Sequence, residues 1–379
     1  MALPATENIK KMMSLGSASL RNMNIGLDIG SSHVKAVALE KNGQGYIVSG
    51  FACQGVGTDT KEAIKKVLLD LGVRKKDVAI SLSGHGVVLR YVNLPLMTTE
   101  DTAKSMEFEL EKYIPFHRDQ VNYDFIILTK NKTTMKMLVL IAAAKKELID
   151  ERVKTCQDLG YGLRFIDVDP LAIANYLEFT DSKREGVYAT INLGGSVSSL
   201  DIIEGGTLVL SRDIFIGGND FTKVISDTLG KSLDEAEEIK KNPLSDDVKL
   251  ALESTFNNLV SELKVSFDFY ETQANRLIDK ILITGGSAKL QGLKELFKQS
   301  LGLTHSAHSR KALILLDFLN LSNPSSLHIV LCIIMLVCVN YGRRQSLSKS
   351  LLITDIPPVL DELKKVIRSI DIKPRQVII

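Results

Sequence analysis

Cysteine is scarce: the 379 residues contain four, Cys53, Cys156, Cys332 and Cys338. So few in so long a chain exclude a disulfide framework, and none forms a Cys-x-x-Cys pair. The loose group His305, His308, His328, Cys332 and Cys338 has no zinc-finger spacing. Such thiols read as the reduced cysteines of a cytosolic protein. Excess charge is lacking too. The 47 Lys+Arg balance 45 Asp+Glu to a net +2, which does not point to a nucleic-acid partner. Long hydrophobic runs are also missing. The most apolar stretch, Leu327 to Val339, has 13 residues, against the ~20 that span a bilayer as a helix. Residues 1–22 carry Lys10 and Lys11 before a short Met/Ser/Leu stretch too polar for a secretion signal. What remains is average globular composition, 45% hydrophobic and 24% charged, with length for about two to three domains.

The charge balance is uneven along the chain. Residues 303–379 hold 10 Lys+Arg against 5 Asp+Glu, while the first 302 hold 37 against 40. Glycine thins out after 303 and half the cysteines sit there. The final segment is compositionally different from the rest.

Alternating apolar residues and turn formers predict an α/β chain. Strands are expected at 24–28, 33–40, 46–54, 78–83, 87–94, 123–128 and 135–143, with helices at 60–71, 98–113 and 145–159. Thr98 is the expected cap of the second helix, with Glu100 and Asp101 favourable in its first turn. From Leu163 the pattern restarts. Strands are expected at 163–168, 187–193, 197–203, 208–216 and 280–283. Helices are expected at 171–177, 220–229, 233–241, 247–273 and 290–300. The strand–glycine turn–strand units at 25–39 and 189–203 share one layout, which points to a duplicated domain.

Three glycine turns each follow an apolar strand: Asp28-Ile29-Gly30-Ser31-Ser32, Asn192-Leu193-Gly194-Gly195-Ser196 and Thr284-Gly285-Gly286-Ser287. Glycine lets backbone N–H groups approach an anion closely, and serine adds hydroxyl donors. Two such hairpins facing each other can clamp a triphosphate. Asp28, at the strand end, is then placed to hold the water shell of a Mg²⁺ ion. Any one of these turns alone is more often a simple chain reversal; three in this order are harder to explain that way.

Ile25–Ser32 resembles the first phosphate motif of the actin-like ATPases, a group that includes actin, DnaK-type chaperones, sugar kinases, MreB and FtsA. Ile191–Ser199 resembles their second phosphate motif and Ile281–Gly286 their adenosine motif. Ala236-Glu237-Glu238-Ile239-Lys240 is similar to an MreB/FtsA helix that contacts ribose and adenine. Further segments resemble the PilM family of type IV pilus assembly: Val92–Met97, Glu111–Phe116, Phe165–Pro170 with Ala172 and Asn175, Arg212–Ile214 and Gly217–Asn219. The resemblance covers about residues 24–302.

It implies an actin-like, ribonuclease H-like duplicated fold of two lobes with an FtsA/PilM-type inserted subdomain. A flexible N-terminus (1–22) precedes a discontinuous first lobe (23–83 and 163–184), split by a partner-binding insertion (84–162). The second lobe (185–302) carries a helical subdomain (219–275), and an irregular tail (303–379) follows. ATP with Mg²⁺ is the implied ligand. Gly30, Ser31, Ser32 and His33 would meet the phosphates, with Lys35 adding charge or pointing outward. Gly194, Gly195 and Ser196 would form the facing jaw. Gly218 and Asn219 would line the floor near the ribose, with Glu237 and Lys240 beyond, and Gly285, Gly286 and Ser287 would pass beneath the adenine and α-phosphate. Asp169 is the candidate for orienting a water, although an Asp before Pro170 is more often a helix cap. Asn192 replaces the Asp that many hydrolysing relatives carry, and it brings no negative charge. ATP binding is therefore better supported than hydrolysis.

The implied role is a cytoplasmic scaffold, peripheral to the inner membrane through its partner. It would recruit the N-terminal tail of a PilN-like membrane protein among other pilus platform proteins. An FtsA-like division protein and a metabolite kinase of the same superfold are the alternatives. After Gly302 the expected strand and closing helix are not recognisable. Residues 350–379 resemble a fragment of a type IV pilus secretin, which suggests a gene fusion near residue 303; a divergent native tail, with 327–339 as closing helix, is the other reading.

Overall fold

The computed structural model describes residues 23–42, 45–73, 77–180, 186–301 and 312–315. The chain opens with an antiparallel meander, β1 (Met23–Ile29), β2 (His33–Asn42) and β3 (Gly45–Gly55). Helix α1 (Thr60–Asp70) follows, started by Asp59, whose carboxylate accepts from the Lys61 amide. Strands β4 (Val78–Leu82) and β8 (Leu163–Val168) then extend the sheet in parallel on the other side of β1, giving the order β3-β2-β1-β4-β8.

A second sheet repeats this plan. Its strands are β9 (Val187–Leu193), β10 (Ser198–Glu204), β11 (Thr207–Ile214), β12 (Lys280–Thr284) and β13 (Ala312–Leu315). Their order, β11-β10-β9-β12-β13, is again three antiparallel strands and two parallel ones. The duplication expected from the two glycine hairpins is thus present in both topology and register. Strand β13 lies within the tail that composition sets apart at residue 303. Ala312–Leu315 pairs with Lys280–Ile283, so the second lobe runs further than the sequence boundary. The expectations for 1–22, 302–311 and 316–379, including the fusion near residue 303 and the secretin-like stretch, fall outside the described residues.

Each sheet buries one face under helices. On the first, Ile64, Val67 and Leu68 of α1 meet Ile25, Leu27, Val34 and Ile80. On the second, α5 (Gly218–Leu229), α7 (Asp246–Ala274) and α8 (Leu293–Ser300) cover β9, β10 and β12 through Phe221, Phe256, Leu263 and Phe297. A short α6 (Leu233–Lys240) sits between α5 and α7, started by a Ser232–Glu235 capping box.

Between β4 and β8 lies a separate antiparallel sheet, β5-β7-β6. It comprises β5 (Val87–Pro95), β6 (Val121–Asn131) and β7 (Lys136–Lys145), packed against α2 (Thr99–Glu109) through Met106. Thr98 caps α2 by accepting from the Asp101 amide at 3.1 Å. The helix ends at Glu109 and tightens into a 3₁₀ turn over Leu110–Lys112, short of the expected residue 113. Sequence reading carries the insertion to residue 162, yet α3 (Lys146–Asp158) packs Ile149 and Cys156 into the first-sheet core. Helix α3 therefore shares the core of the first sheet, and it lies against β7 and β8. Finally α4 (Asp169–Thr180) joins the lobes. Leu171, Ala172, Ile173 and Ala174 form one apolar cluster with Leu89 and Leu140 of the insertion and Ile203, Leu208 and Leu282 of the second lobe.

Candidate functional site

The two expected hairpin turns have matching geometry. The Gly30 amide donates to the His33 carbonyl at 3.1 Å, and the Gly194 amide to the Val197 carbonyl at 3.2 Å. The turns meet across the cleft. Ser196 Oγ donates to Ser31 Oγ at 3.2 Å, Asn219 Nδ2 donates to Ser196 Oγ at 3.1 Å, and Ser32 Oγ lies 3.4 Å from Asn219 Oδ1. A Cβ on Gly195 would come within 2.2 Å of Ser32 Oγ, so only glycine permits this approach.

The third turn supports the second from behind. Gly285, at φ +96°, lies where a Cβ would be 2.3 Å from the Leu193 carbonyl, and Ser287 Oγ donates to the Gly194 carbonyl at 3.0 Å. The Gly218 and Asn219 amides, at the start of α5, donate to the carbonyls of Gly194 and Gly195 at 2.9 and 2.8 Å. The second jaw is thus built into the N-terminus of a helix, whose dipole favours anions. Asn219, expected on the ribose floor, is one of the groups in the hydroxyl ring.

The sequence-predicted ribose residues have a defined local task. Lys240 Nζ pairs with Glu237 Oε2 at 2.6 Å and donates to the Gly218 carbonyl at 2.9 Å. Thr222 Oγ1 lies 2.7 Å from Lys240 Nζ and donates to Glu237 at 2.6 Å. Together they pin α6 to the start of α5, beside the jaw. His33 faces this group from the first lobe. Partial burial, then the charge of Lys35, hold its pKa below the usual value, partly opposed by Glu237.

Beneath the first turn lies a charged layer. Asp28 and Lys35 are opposite each other in register and form an ion pair of 3.0 Å with both side chains about nine-tenths buried. Lys35 therefore points inward, toward Asp28. Asp169, the first residue of α4, is also buried, and it accepts a short hydrogen bond from the Ser81 hydroxyl at the end of β4. Burial, then the negative charge of Asp28, push its pKa to about 6; the hydroxyls of Ser81 and Ser83 and the charge of Lys35 pull the other way. Asp169 also borders a cavity of about 360 Å³ shared with His85, Ser199, Asp213 and Phe215. In that lining His85, at the start of the insertion, stacks on Phe215 of the second lobe, 4.1 Å between ring centres.

The residues fit a nucleoside triphosphate on the chemistry of this donor set. The hydroxyls of Ser31, Ser32 and Ser196 and the side-chain amide of Asn219 converge from two lobes and meet across the seam; an anion between the jaws would take over these donors. Among the described residues no group of three or more His, Cys, Asp or Glu could hold a metal ion. A Mg²⁺ ion bound mainly through phosphate and water needs only one or two carboxylates, and Asp28 would be the one beneath the first turn. Sequence reasoning missed Ser81, Ser83 and Thr222. No local motif marks them, because each is defined by a partner distant in sequence.

The model of the type IV pilus assembly protein PilM matches residues 26–311. The chain belongs to the PilM family. A solved PilM–PilN type IV pilus biogenesis complex superposes on it with a TM-score of 0.68 at 25% identity, covering 77% of this chain and 88% of that one. Among curated proteins it is similar to the cell division protein FtsA of Bacillus subtilis, 26% identical over 256 residues and 57% of each chain. FtsA of Streptococcus pneumoniae is 23% identical over 363 residues, 80% of this chain and 78% of that protein. The match thus spans little more than half of the Bacillus relative. The two-lobed, duplicated fold seen here is the actin-like one that the PilM-family resemblance implies. Among the described residues no helix is long and apolar enough to cross a membrane.

Proposed function

We propose that this PilM-family chain binds Mg²⁺-ATP between its two glycine turns and, in the closed form, presents its inserted sheet to the N-terminal tail of a PilN-like membrane protein. The observation that carries the nucleotide half is the direct seam between the jaws, Ser31 and Ser32 against Gly195, Ser196 and Asn219. Their amides and hydroxyls would hold the β- and γ-phosphates, Asp28 the water shell of the metal, and Gly285–Ser287 the base side of the cleft. When bound, Mg²⁺ supplies charge neutralisation of the phosphates. Asp169 would position or deprotonate a water. Asn192 adds no charge opposite it, so hydrolysis is expected to be slow and binding the main event.

The partner half rests on the likeness to a PilM–PilN complex and on the shape of the insertion. Its sheet has strand order β5-β7-β6, so β5 and β6 are its outer strands, and Phe108 and Met135 are its exposed large apolar side chains, 85% and 60% exposed. An extended peptide docks on such a surface by strand addition or by filling apolar pockets. Through that partner the chain would sit at the cytoplasmic side of the inner membrane.

Calorimetric titration of Mg²⁺-ATP, then of the partner's N-terminal peptide, tests both halves. Binding is expected in the intact chain and lost in Gly195→Val, with the circular dichroism spectrum unchanged. No binding by a folded intact chain would overturn the nucleotide reading. The FtsA relatives support a second reading, a division protein; sedimentation of the chain alone with anionic vesicles would favour it.

A further inference from the structure

Two polar atoms are orphaned where the inserted sheet meets the second lobe. The Tyr91 hydroxyl on β5 and Asp201 Oδ2 on β10 are buried, and neither has a hydrogen-bond partner. The other oxygen of Asp201 accepts from Ser211 at 2.7 Å. Tyr91 packs on the apolar cluster that joins the lobes, beside Leu89 of its own strand and Ile203, two residues beyond Asp201 on β10. The two residues thus face one seam. Burial, and after it the proximity of Asp201, holds Tyr91 well above its ordinary pKa.

The duplication makes Asp201 stand out. It lies opposite Thr190 on β9, at the step where the first lobe sets Val37 opposite Gly26. Val37 is fully buried, so this step of the sheet is served by an apolar side chain. An acid is not required for packing, and a buried polar atom without a partner calls for a reason. The groups that face Asp201 are acids and hydroxyls: Asp213 on β11, Asp169 on α4, Ser211 and Thr190. The Ser211 hydroxyl serves Asp201 Oδ1, and the Tyr91 phenol is the unpartnered donor left for Oδ2.

We propose that Tyr91 and Asp201 form a lock between the lobes: when the second lobe closes against the inserted sheet, the Tyr91 hydroxyl donates to Asp201 Oδ2. Strand β10 begins at Ser198, two residues after Ser196, so a ligand that enters between the turns and shifts Gly194–Ser196 moves Asp201 with it. Strand β5 belongs to the sheet assigned above to the partner. The lock would transmit nucleotide occupancy from the jaw to the partner surface, and its trigger rests on the nucleotide reading above.

The test is a double-variant cycle on the full chain: Tyr91→Phe, Asp201→Asn and both together, melted with and without Mg²⁺-ATP. With Mg²⁺-ATP the Tm shifts are expected to overlap, the double variant moving no further than the larger single one. Without it they are expected to add. Shifts that add in both conditions overturn the lock. Shifts that overlap in both overturn its action as a switch, since the bond is then permanent. If Mg²⁺-ATP leaves the wild-type melt unmoved, the nucleotide reading has failed and the switch falls with it, whereas a wild-type melt that moves while the variants' shifts add in both conditions overturns the lock alone.

Discussion

The first lobe sets Asp28 opposite Lys35 beneath its glycine turn; the second lobe, at the same step, sets Asn192 opposite Ser199. One position holds a buried ion pair, the other a neutral pair in which the Ser199 hydroxyl is buried without a partner. Two steps from each turn the contrast reverses, with Val37 in the first lobe and Asp201 in the second. The backbone plan needs neither charge, since each lobe does without what the other has. The charges are therefore assigned by the site. Asp28 and Lys35 lie under the turn that would carry the metal-bound phosphates, and Asp201 lies at the seam with the insertion.

This contrast can be broken by substitution. The largest effect is expected from Lys35→Met, which strands a buried carboxylate and should lower stability by about 3–5 kcal/mol in urea titrations. If the loss is under about 1 kcal/mol, the ion pair is not buried in solution. Next come the turns themselves. A Cβ at Gly194 would be 2.4 Å from the Val197 carbonyl, whereas one at Gly30 would be 3.0 Å from the His33 carbonyl. Gly194→Ala should destabilise by about 3 kcal/mol and Gly30→Ala by about 1 kcal/mol. Equal losses would mean that the two turns relax alike.

The third effect is on pH dependence. Burial pushes Asp201 from 3.8 to about 8, so between those values the folded chain holds a proton that the unfolded chain has released. Stability should fall as pH rises through this window, by up to about 1.4 kcal/mol per unit from this group. Asp169, raised to about 6, adds to the slope only below pH 6. Between pH 6 and 8 Asp201→Asn should flatten the curve, as read by thermal melts at each pH; a slope unchanged by the variant would show that Asp201 is solvated. Smallest of all, Ser199→Ala removes an unpartnered hydroxyl and should change stability by less than about 0.5 kcal/mol, whereas a marked loss would reveal a partner for it.

Much of this was legible in order along the chain. The strands of both hairpins, the Thr98 cap, the three glycine turns and the duplication follow from alternation and turn chemistry, which act over a few residues. The direction of Lys35 was not legible, because a hairpin residue can face either side until its register and the layer beneath are known. Nor was β13, a four-residue strand in a compositionally odd segment, which is identified only by its pairing with β12. The affiliation of α3 was hidden for a similar reason. Its apolar stripe shows that it packs, and only the topology shows that it packs on the first sheet.

By itself, then, the sequence determined the elements and the places where backbone can approach backbone, since period, capping and the absence of a Cβ are local properties. Tertiary structure alone decided which residues meet: Ser196 with Ser31, Ser81 with Asp169, Tyr91 beside Asp201. It also decided how strongly those acids hold their protons. Desolvation and the field of neighbouring charges arise only once segments distant in the chain enclose the same volume.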